Sequence, residues 1–250
     1  MQKFNKLPTH LLRDDCLETI IKKWEPGRFL EIGPGCGLTT SLFLRNRFFG
    51  SCFEASADSR LVLEENLKIY KEQIELLESI EQLLPQSFDY LFSFDVIEHI
   101  PGDKDALGKW TSLLRPGGKL LLSVPADEKK FGISDKLMGH VRRYGKKQLY
   151  ALIEEAGYEN ITILSYGFPL VNITLSSINF LYKVFLPNKE YNNLSPEEKT
   201  AKSGVKNPDL VRRLAFIFNR GTVFPFILLQ RVFLKYDLGA AYIAFATKKY

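Results

Sequence analysis

The chain has 250 residues, of which 45% are hydrophobic and 13% aromatic, and it carries a net charge of +5. That apolar content supplies one sizeable core and excludes disorder over the whole length. Three scattered cysteines, Cys16, Cys36 and Cys52, make no CxxC pair and no Cys/His cluster. The expectation is therefore no disulfide framework, no metal site and a reducing cytoplasm. Residues 1–6 are followed by no apolar run, which argues against a secretory leader.

Residues 10–24 carry Leu11, Leu12, Cys16, Leu17, Ile20, Ile21 and Trp24 near helical spacing. They predict an amphipathic helix that ends at Glu25-Pro26-Gly27. Next comes Phe29-Leu30-Glu31-Ile32-Gly33-Pro34-Gly35-Cys36-Gly37, a buried strand end that runs into three glycines at alternate positions. Such glycines let the backbone turn sharply and approach a ligand closely. Glu31 falls near the carboxyl end of the strand, where open α/β sheets bind ligands, and its charge suits a cationic group. A dinucleotide fingerprint needs a small third residue at the position that Leu38 occupies. Taken alone, the triplet also fits a tight turn with no ligand.

A short helix over 38–46 and a strand over 50–54 follow, ending at Glu54-Ala55-Ser56. In nucleotide-binding βαβ units an acid about 20 residues beyond the glycine turn meets the ribose hydroxyls. In isolation Glu54 reads as an exposed strand-end acid; in register with Glu31 and the glycines, the binding reading prevails. A helix near 58–70 and a strand over 74–77 lead to Glu78-Ser79-Ile80-Glu81. The strand over 90–94 ends at Asp95-Val96 and turns into Ile97-Glu98-His99-Ile100. A helix over 106–114 is expected to stop at Pro116-Gly117-Gly118, before a buried strand over 119–124.

Beyond that strand, residues 127–147 form a basic loop with seven Lys/Arg against three Asp/Glu, most of the net charge of the chain. It contains Gly139-His140-Val141-Arg142-Arg143-Tyr144. A helix over 146–156, a strand over 161–165 and a last strand over 240–246 complete the pattern. Alternating strands and helices predict an α/β fold with a parallel sheet and helices on both faces. The division is a core over 1–165, a helical insertion over 166–238 and a final core strand within 239–250. In the insertion, 166–187 and 214–234 are apolar but interrupted by polar residues, so no membrane-spanning helix is expected. A cap over the acceptor is the default, with peripheral membrane contact as the alternative. The polar stretch 188–208 reads as a surface loop or lid.

In order, the G-x-G-x-G turn with Glu31, the second acid Glu54, F-D-x-x-x-x-x-D-V-I-E-H-I and L-L-R-P-G-G-K-L-L-L-S-V-P resemble the core of class I S-adenosylmethionine-dependent methyltransferases. The resemblance covers roughly residues 12–165 and is similar in pattern to small-molecule enzymes of the quinone-biosynthesis type. G-H-x-R-R-Y resembles a signature of bacterial methyltransferases found with polysaccharide and lipid-carrier biosynthesis. The resemblance implies a Rossmann-like, seven-stranded, mostly parallel sheet with one antiparallel strand. It implies S-adenosyl-L-methionine held by Glu31, Gly33, Pro34, Gly35, Gly37, Glu54, Ala55, Asp95 and Val96. Ser79 and Ile80 stand at the adenine, where many relatives carry an acid. The acceptor is expected to be a small or lipid-linked anion, methylated at oxygen or carbon, in polysaccharide, glycolipid or quinone-type biosynthesis. Arg142 and Arg143 offer forks for a carboxylate or phosphate. His99, His140 and Tyr144 are the candidate catalytic groups, the histidines because they titrate in the range of a base. Two alternatives stand beside this reading: an NAD(P)- or nucleotide-sugar-dependent oxidoreductase on a related sheet, and a non-catalytic relative that only binds the cofactor. No nucleic-acid partner is expected, because Asp95-Val96-Ile97-Glu98 stands where amino-methylating nucleic-acid enzymes carry an Asn/Asp-Pro-Pro-aromatic motif.

Overall fold

The alternation of side chains along the strands decides which helices each face of the sheet buries. The computed structural model describes residues 7–185 and 219–250. Its strands are β1 (Arg28–Ile32), β2 (Phe49–Phe53), β3 (Ile74–Leu77), β4 (Phe88–Phe94), β5 (Leu114–Pro125), β6 (Tyr158–Tyr166) and β7 (Ala241–Lys248). They form one seven-stranded sheet in the order β3-β2-β1-β4-β5-β7-β6. The pairs on the β3 side of the sheet, as far as β5, are parallel. Only β7 runs against its neighbours β5 and β6. The expected seven-stranded Rossmann-like sheet with one antiparallel strand is what the chain builds.

The helices are α1 (Pro8–Ile21), α2 (Thr40–Arg45), α3 (Ala57–Leu67), α4 (Asp103–Leu113), α5 (Ile133–Met138), α6 (Lys146–Glu155), α7 (Leu170–Phe185) and α8 (Arg220–Phe233). On one face, Phe29, Tyr90, Phe92 and Phe94 pack with Leu12, Leu17 and Ile20 of α1 and with Leu42 and Phe43 of α2. The rings of Phe43 and Phe92 stack with centroids 4.1 Å apart. On the other face, Leu30, Ile32, Leu91, Leu120 and Leu122 pack with Leu107 and Trp110 of α4 and with Leu149 and Ile153 of α6. Glu31 shares the parity of Phe29, so its carboxylate is buried on the aromatic side, under α1 and α2.

Several boundaries differ from expectation. Helix α1 ends at Ile21, and Trp24 lies beyond it, stacked on Tyr90 at 5.3 Å. Pro116-Gly117-Gly118 does not stop the preceding helix, which ends at Leu113. Instead these residues bulge out of β5, whose register jumps from Phe88↔Leu114 to Tyr90↔Lys119. The basic loop contains a short helix, α5, closed by Gly139 at φ +80°.

Within the insertion, α7 and α8 dock on the core. Gln230 of α8 is buried; its Nε2 donates to the Leu12 carbonyl at 3.0 Å and its Oε1 accepts from Gly167 N–H at 2.8 Å. Arg231 grips Asp15 through two bonds of 2.6 and 3.0 Å. The Ser134 amide donates to Asn179 Oδ1 at 3.0 Å and so ties α5 to α7. Among the described residues, no helix is long and apolar enough to cross a membrane. The expected loop over 188–208 lies outside the described residues.

Candidate active site

Strands β1 and β4 are neighbours, and the chain leaves them toward opposite edges of the sheet. That topological switch opens a crevice at their carboxyl ends. Gly33 and Val96 meet across it: a Cβ on Gly33 would come within 2.5 Å of Val96 Cγ2. Gly37 is packed as closely, since a Cβ there would come within 2.7 Å of Leu63 Cδ1 of α3. Gly35 differs from both, because a Cβ there would meet nothing within 4 Å, and its φ is +57°. Pro34 is buried, and its carbonyl accepts the Gly37 amide at 3.0 Å. The turn therefore holds two glycines for packing and one facing open space. Glu54 braces it: one carboxylate oxygen accepts from Gly35 N–H and the other from Ser56 N–H, both at 2.9 Å. Ala55 beside it is exposed.

Glu31 is 1% exposed, and its Oε2 has no hydrogen-bond partner. Burial, helped by the charge of Glu54, pushes its carboxyl up to about 7 against the pull of Arg13. An orphaned, buried carboxylate oxygen beside an open glycine turn fits a ligand that carries a cation. Asp95, at φ +57°, points its carboxylate at α1, where Arg13 Nη1 donates to Oδ2. Its other oxygen accepts from Ser123 Oγ at 3.0 Å. Arg13 also donates to Thr39 Oγ1 at 3.0 Å and lies over the Phe94 ring. One buried guanidinium thus links α1, the glycine turn and the ends of β4 and β5. After β3, Ser79 Oγ is engaged by Glu81, and Ile80 packs against the aliphatic core.

On the side expected to meet the acceptor, three of the candidate groups are engaged within the chain. Arg143 is buried, with Nε on Asp135 Oδ1 at 2.8 Å and Nη1 on the Ala126 carbonyl at 3.1 Å. Arg142 is spent on Asp103 at 2.5 Å and on the Pro101 carbonyl at 2.6 Å. Neither fork is open to an anion. Tyr144 is fully buried and its phenol donates to Asp103 Oδ2 at 3.0 Å. Together with Val141 N–H on the Glu98 carbonyl at 2.9 Å, the Gly139–Tyr144 segment clasps the loop to the end of β4 and the start of α4. Arg143→Ala is accordingly expected to cost about 3–5 kcal/mol of stability, because it strands a buried carboxylate. Arg142→Ala, at a partly exposed pair, should cost about 1 kcal/mol or less. Urea unfolding of the two variants checks the order.

That clasp brings His140 against His99, with ring centroids 4.7 Å apart. Asp135 accepts from His140 Nδ1 at 2.9 Å, and the Gly139 carbonyl accepts from His99 Nδ1 at 3.2 Å. Burial and the neighbouring His140 push His99 down to about 4, below the range expected of a base at neutral pH. Burial also opposes the charge of Asp135, yet His140, Arg143 and the Gly132 amide hold its carboxyl below the usual range. Glu98 lies alongside, fully buried, and neither carboxylate oxygen has a hydrogen-bond partner. Its burial and the charge of Asp95 push that carboxyl well up.

Residues 5–163 match the sequence family described as the methyltransferase domain. The chain belongs to that family. Fold and family together make it a class I methyltransferase that uses S-adenosyl-L-methionine. Both the oxidoreductase reading and the reading without catalysis fall with that assignment. A curated relative is the ubiquinone biosynthesis O-methyltransferase of Xanthomonas axonopodis pv. citri, 29% identical over 124 residues, which are 46% of this chain and 51% of that protein. The match thus spans about half the length of that relative. Two solved structures share the fold: phosphoethanolamine N-methyltransferase 2 of Haemonchus contortus (TM-score 0.58, 15% identity, 99% of this chain and 59% of that one) and an S-adenosylmethionine-dependent methyltransferase from Thermotoga maritima (TM-score 0.55, 17% identity, 96% and 92%).

Sequence reasoning missed four polar residues that hold the candidate site together: Arg13, Thr39, Ser123 and Asp135. Arg13 carried a signal, because it stands four residues before Leu17 and seven before Ile20, on the apolar stripe of α1. Asp135 carried none, since its partners Arg143 and His140 lie across the turn that α5 makes.

Proposed function

We propose that the methyltransferase holds the amino-acid end of its cofactor at Glu31, the ribose at Glu54 and the adenine beside Ser79 and Ile80, across the turn formed by Gly33, Pro34, Gly35 and Gly37 and against Ala55, Asp95 and Val96. The carrying observation is the buried Glu31 oxygen without a partner, next to the open face of Gly35. S-adenosyl-L-methionine supplies an electrophilic methyl group on a sulfonium. The chain must align a nucleophile with that carbon and keep water out. Arg13 fixes the floor of the crevice by holding Asp95 and Thr39 together.

We assign the reacting oxygen of the acceptor to the side lined by His99 and His140. Support for oxygen comes from the polar, histidine-lined wall and from the ubiquinone biosynthesis O-methyltransferase relative. With Arg142 and Arg143 paired internally, attraction for an anionic acceptor rests on the exposed Lys129 and Lys136. A lipid-linked acceptor is supported by Phe224, Leu228 and Val232, which stand 53%, 47% and 67% exposed along one stripe of α8. We infer a cytoplasmic enzyme that works at the membrane surface; the thiols of Cys16, Cys36 and Cys52, none in a disulfide, are consistent with a reducing compartment.

Calorimetric titration with S-adenosylhomocysteine, with NAD as control, tests the cofactor assignment. Gly35→Val should still fold, at a backbone cost of about 1–2 kcal/mol, because its side chain enters open space. Its affinity for S-adenosylhomocysteine should be lost. Retained affinity would remove the cofactor from this turn.

A further inference from the structure

The acceptor wall contains a cluster that spacing along the chain conceals. Glu98 and His99 are adjacent, but His140 lies far downstream and arrives only through the clasp of residues 139–144. One donor atom from each of the three lies within 4.8 Å of the others. His140 Nε2 is 3.9 Å from Glu98 Oε1. We propose that Glu98, His99 and His140 form a binding site for one divalent transition-metal ion, which would hold the acceptor oxygen.

Three observations carry this. Glu98 is completely buried, and both of its oxygens lack hydrogen-bond partners, a costly arrangement for a carboxylate unless a cation completes it. Both rings are oriented in the manner of metal-bound histidines: each gives its Nδ1 proton to an oxygen, Asp135 for His140 and the Gly139 carbonyl for His99. In the tautomer that donates from Nδ1, the lone pair sits on Nε2, the nitrogen a metal would take. Asp135 is itself fixed by Arg143 and by the Gly132 amide, so it anchors His140 rather than joining the ligands. Asp95, the other nearby acid, is held by Arg13 and Ser123 and stays out of the cluster.

The donor set selects the ion. Two imidazoles and one carboxylate suit Zn²⁺, Mn²⁺ or Fe²⁺, whereas Mg²⁺ and Ca²⁺ prefer oxygen donors alone. Ligands at about 2.1 Å from one ion lie about 3.0–3.5 Å apart, so atoms that now lie within 4.8 Å of one another need to close by roughly 1–2 Å at most. Three protein ligands leave open positions, and a hydroxyl bound at one of them gives up its proton more readily. That last step rests on the acceptor being an oxygen nucleophile, as proposed above; the metal site itself does not.

The test uses the full chain, stripped with a chelator and titrated with Mn²⁺ by electron paramagnetic resonance and with Zn²⁺ by calorimetry. The expected result is one ion per chain, not displaced by excess Mg²⁺ or Ca²⁺. Asp135→Asn should weaken binding about 10- to 100-fold, and Glu98→Gln should weaken it further. Circular dichroism and S-adenosylhomocysteine titration of the same samples check that each variant folds. Wild-type affinity no greater than that of the folded Glu98→Gln variant, or equal competition by Mg²⁺, would overturn the site. S-adenosylhomocysteine binding without metal binding would sink the site and leave the methyl-transfer reading intact. Metal binding without S-adenosylhomocysteine binding would do the reverse.

Discussion

Glu31→Gln is expected to weaken cofactor binding about 100-fold or more while stabilising the cofactor-free protein at alkaline pH. The two effects share one cause. Glu31 is buried, with one oxygen unpartnered, and its carboxyl is raised from 4.5 to about 7 in the folded chain. Between those values the folded state binds more protons than the unfolded state, so stability falls as pH rises through that window. Above it, the ionised group costs the folded protein up to about 3 kcal/mol. A ligand ammonium would offset that cost; an uncharged amide avoids it. Melting curves should therefore place Glu31→Gln above wild type at pH 8, with the gap closing by pH 4.5. Affinity for S-adenosylhomocysteine at pH 8 should drop by roughly 3 kcal/mol, about 100-fold or more, as expected when a buried ion pair loses one member. Equal melting temperatures at both pH values, or affinity within a few-fold of wild type, would show that the carboxylate is not poised for a cation.

Arg13→Met should destabilise the folded chain strongly. Its guanidinium holds Asp95, Thr39 and, at 3.5 Å, Ser123, and it is 5% exposed. Breaking a buried pair by removing one partner costs about 3–5 kcal/mol. The Asp95 side chain is 36% exposed, and solvent screening moves the expectation to the lower end, about 3 kcal/mol. Adding Asp95→Asn should recover part of the loss, since Asn accepts the positive φ of that position and leaves no charge behind. Urea unfolding of wild type, both single variants and the double variant measures the coupling. A loss under about 1 kcal/mol for Arg13→Met would mean that packing on Phe94, not the ion pair, holds α1 to the sheet.

The sheet and the glycine turn were legible because they rest on local patterns. Phe29-Leu30-Glu31-Ile32 already shows a strand with one charge turned to the inner face, and Gly33, Gly35 and Gly37 already mark a close approach. The acceptor side was not legible, because its chemistry depends on which charges find each other in space. Arg142 and Arg143 look like anion forks in the chain, yet Asp103 and Asp135 lie close enough to consume them. His140 reads as part of a basic loop until the turn at Gly139 carries it to His99 and Glu98. Pro116-Gly117-Gly118 misled for a different reason: breaker residues mark a departure from regular geometry, and a bulge inside a strand satisfies them as well as a helix end does.

A crystal structure of the chain with S-adenosylhomocysteine is the most direct measurement of the cofactor assignment. The expected density runs across the glycine turn, with the ammonium about 3 Å from the Glu31 carboxylate and the ribose hydroxyls on Glu54. Density in the reverse orientation, with ribose at Glu31, or a bound molecule away from the crevice between β1 and β4, would contradict the account.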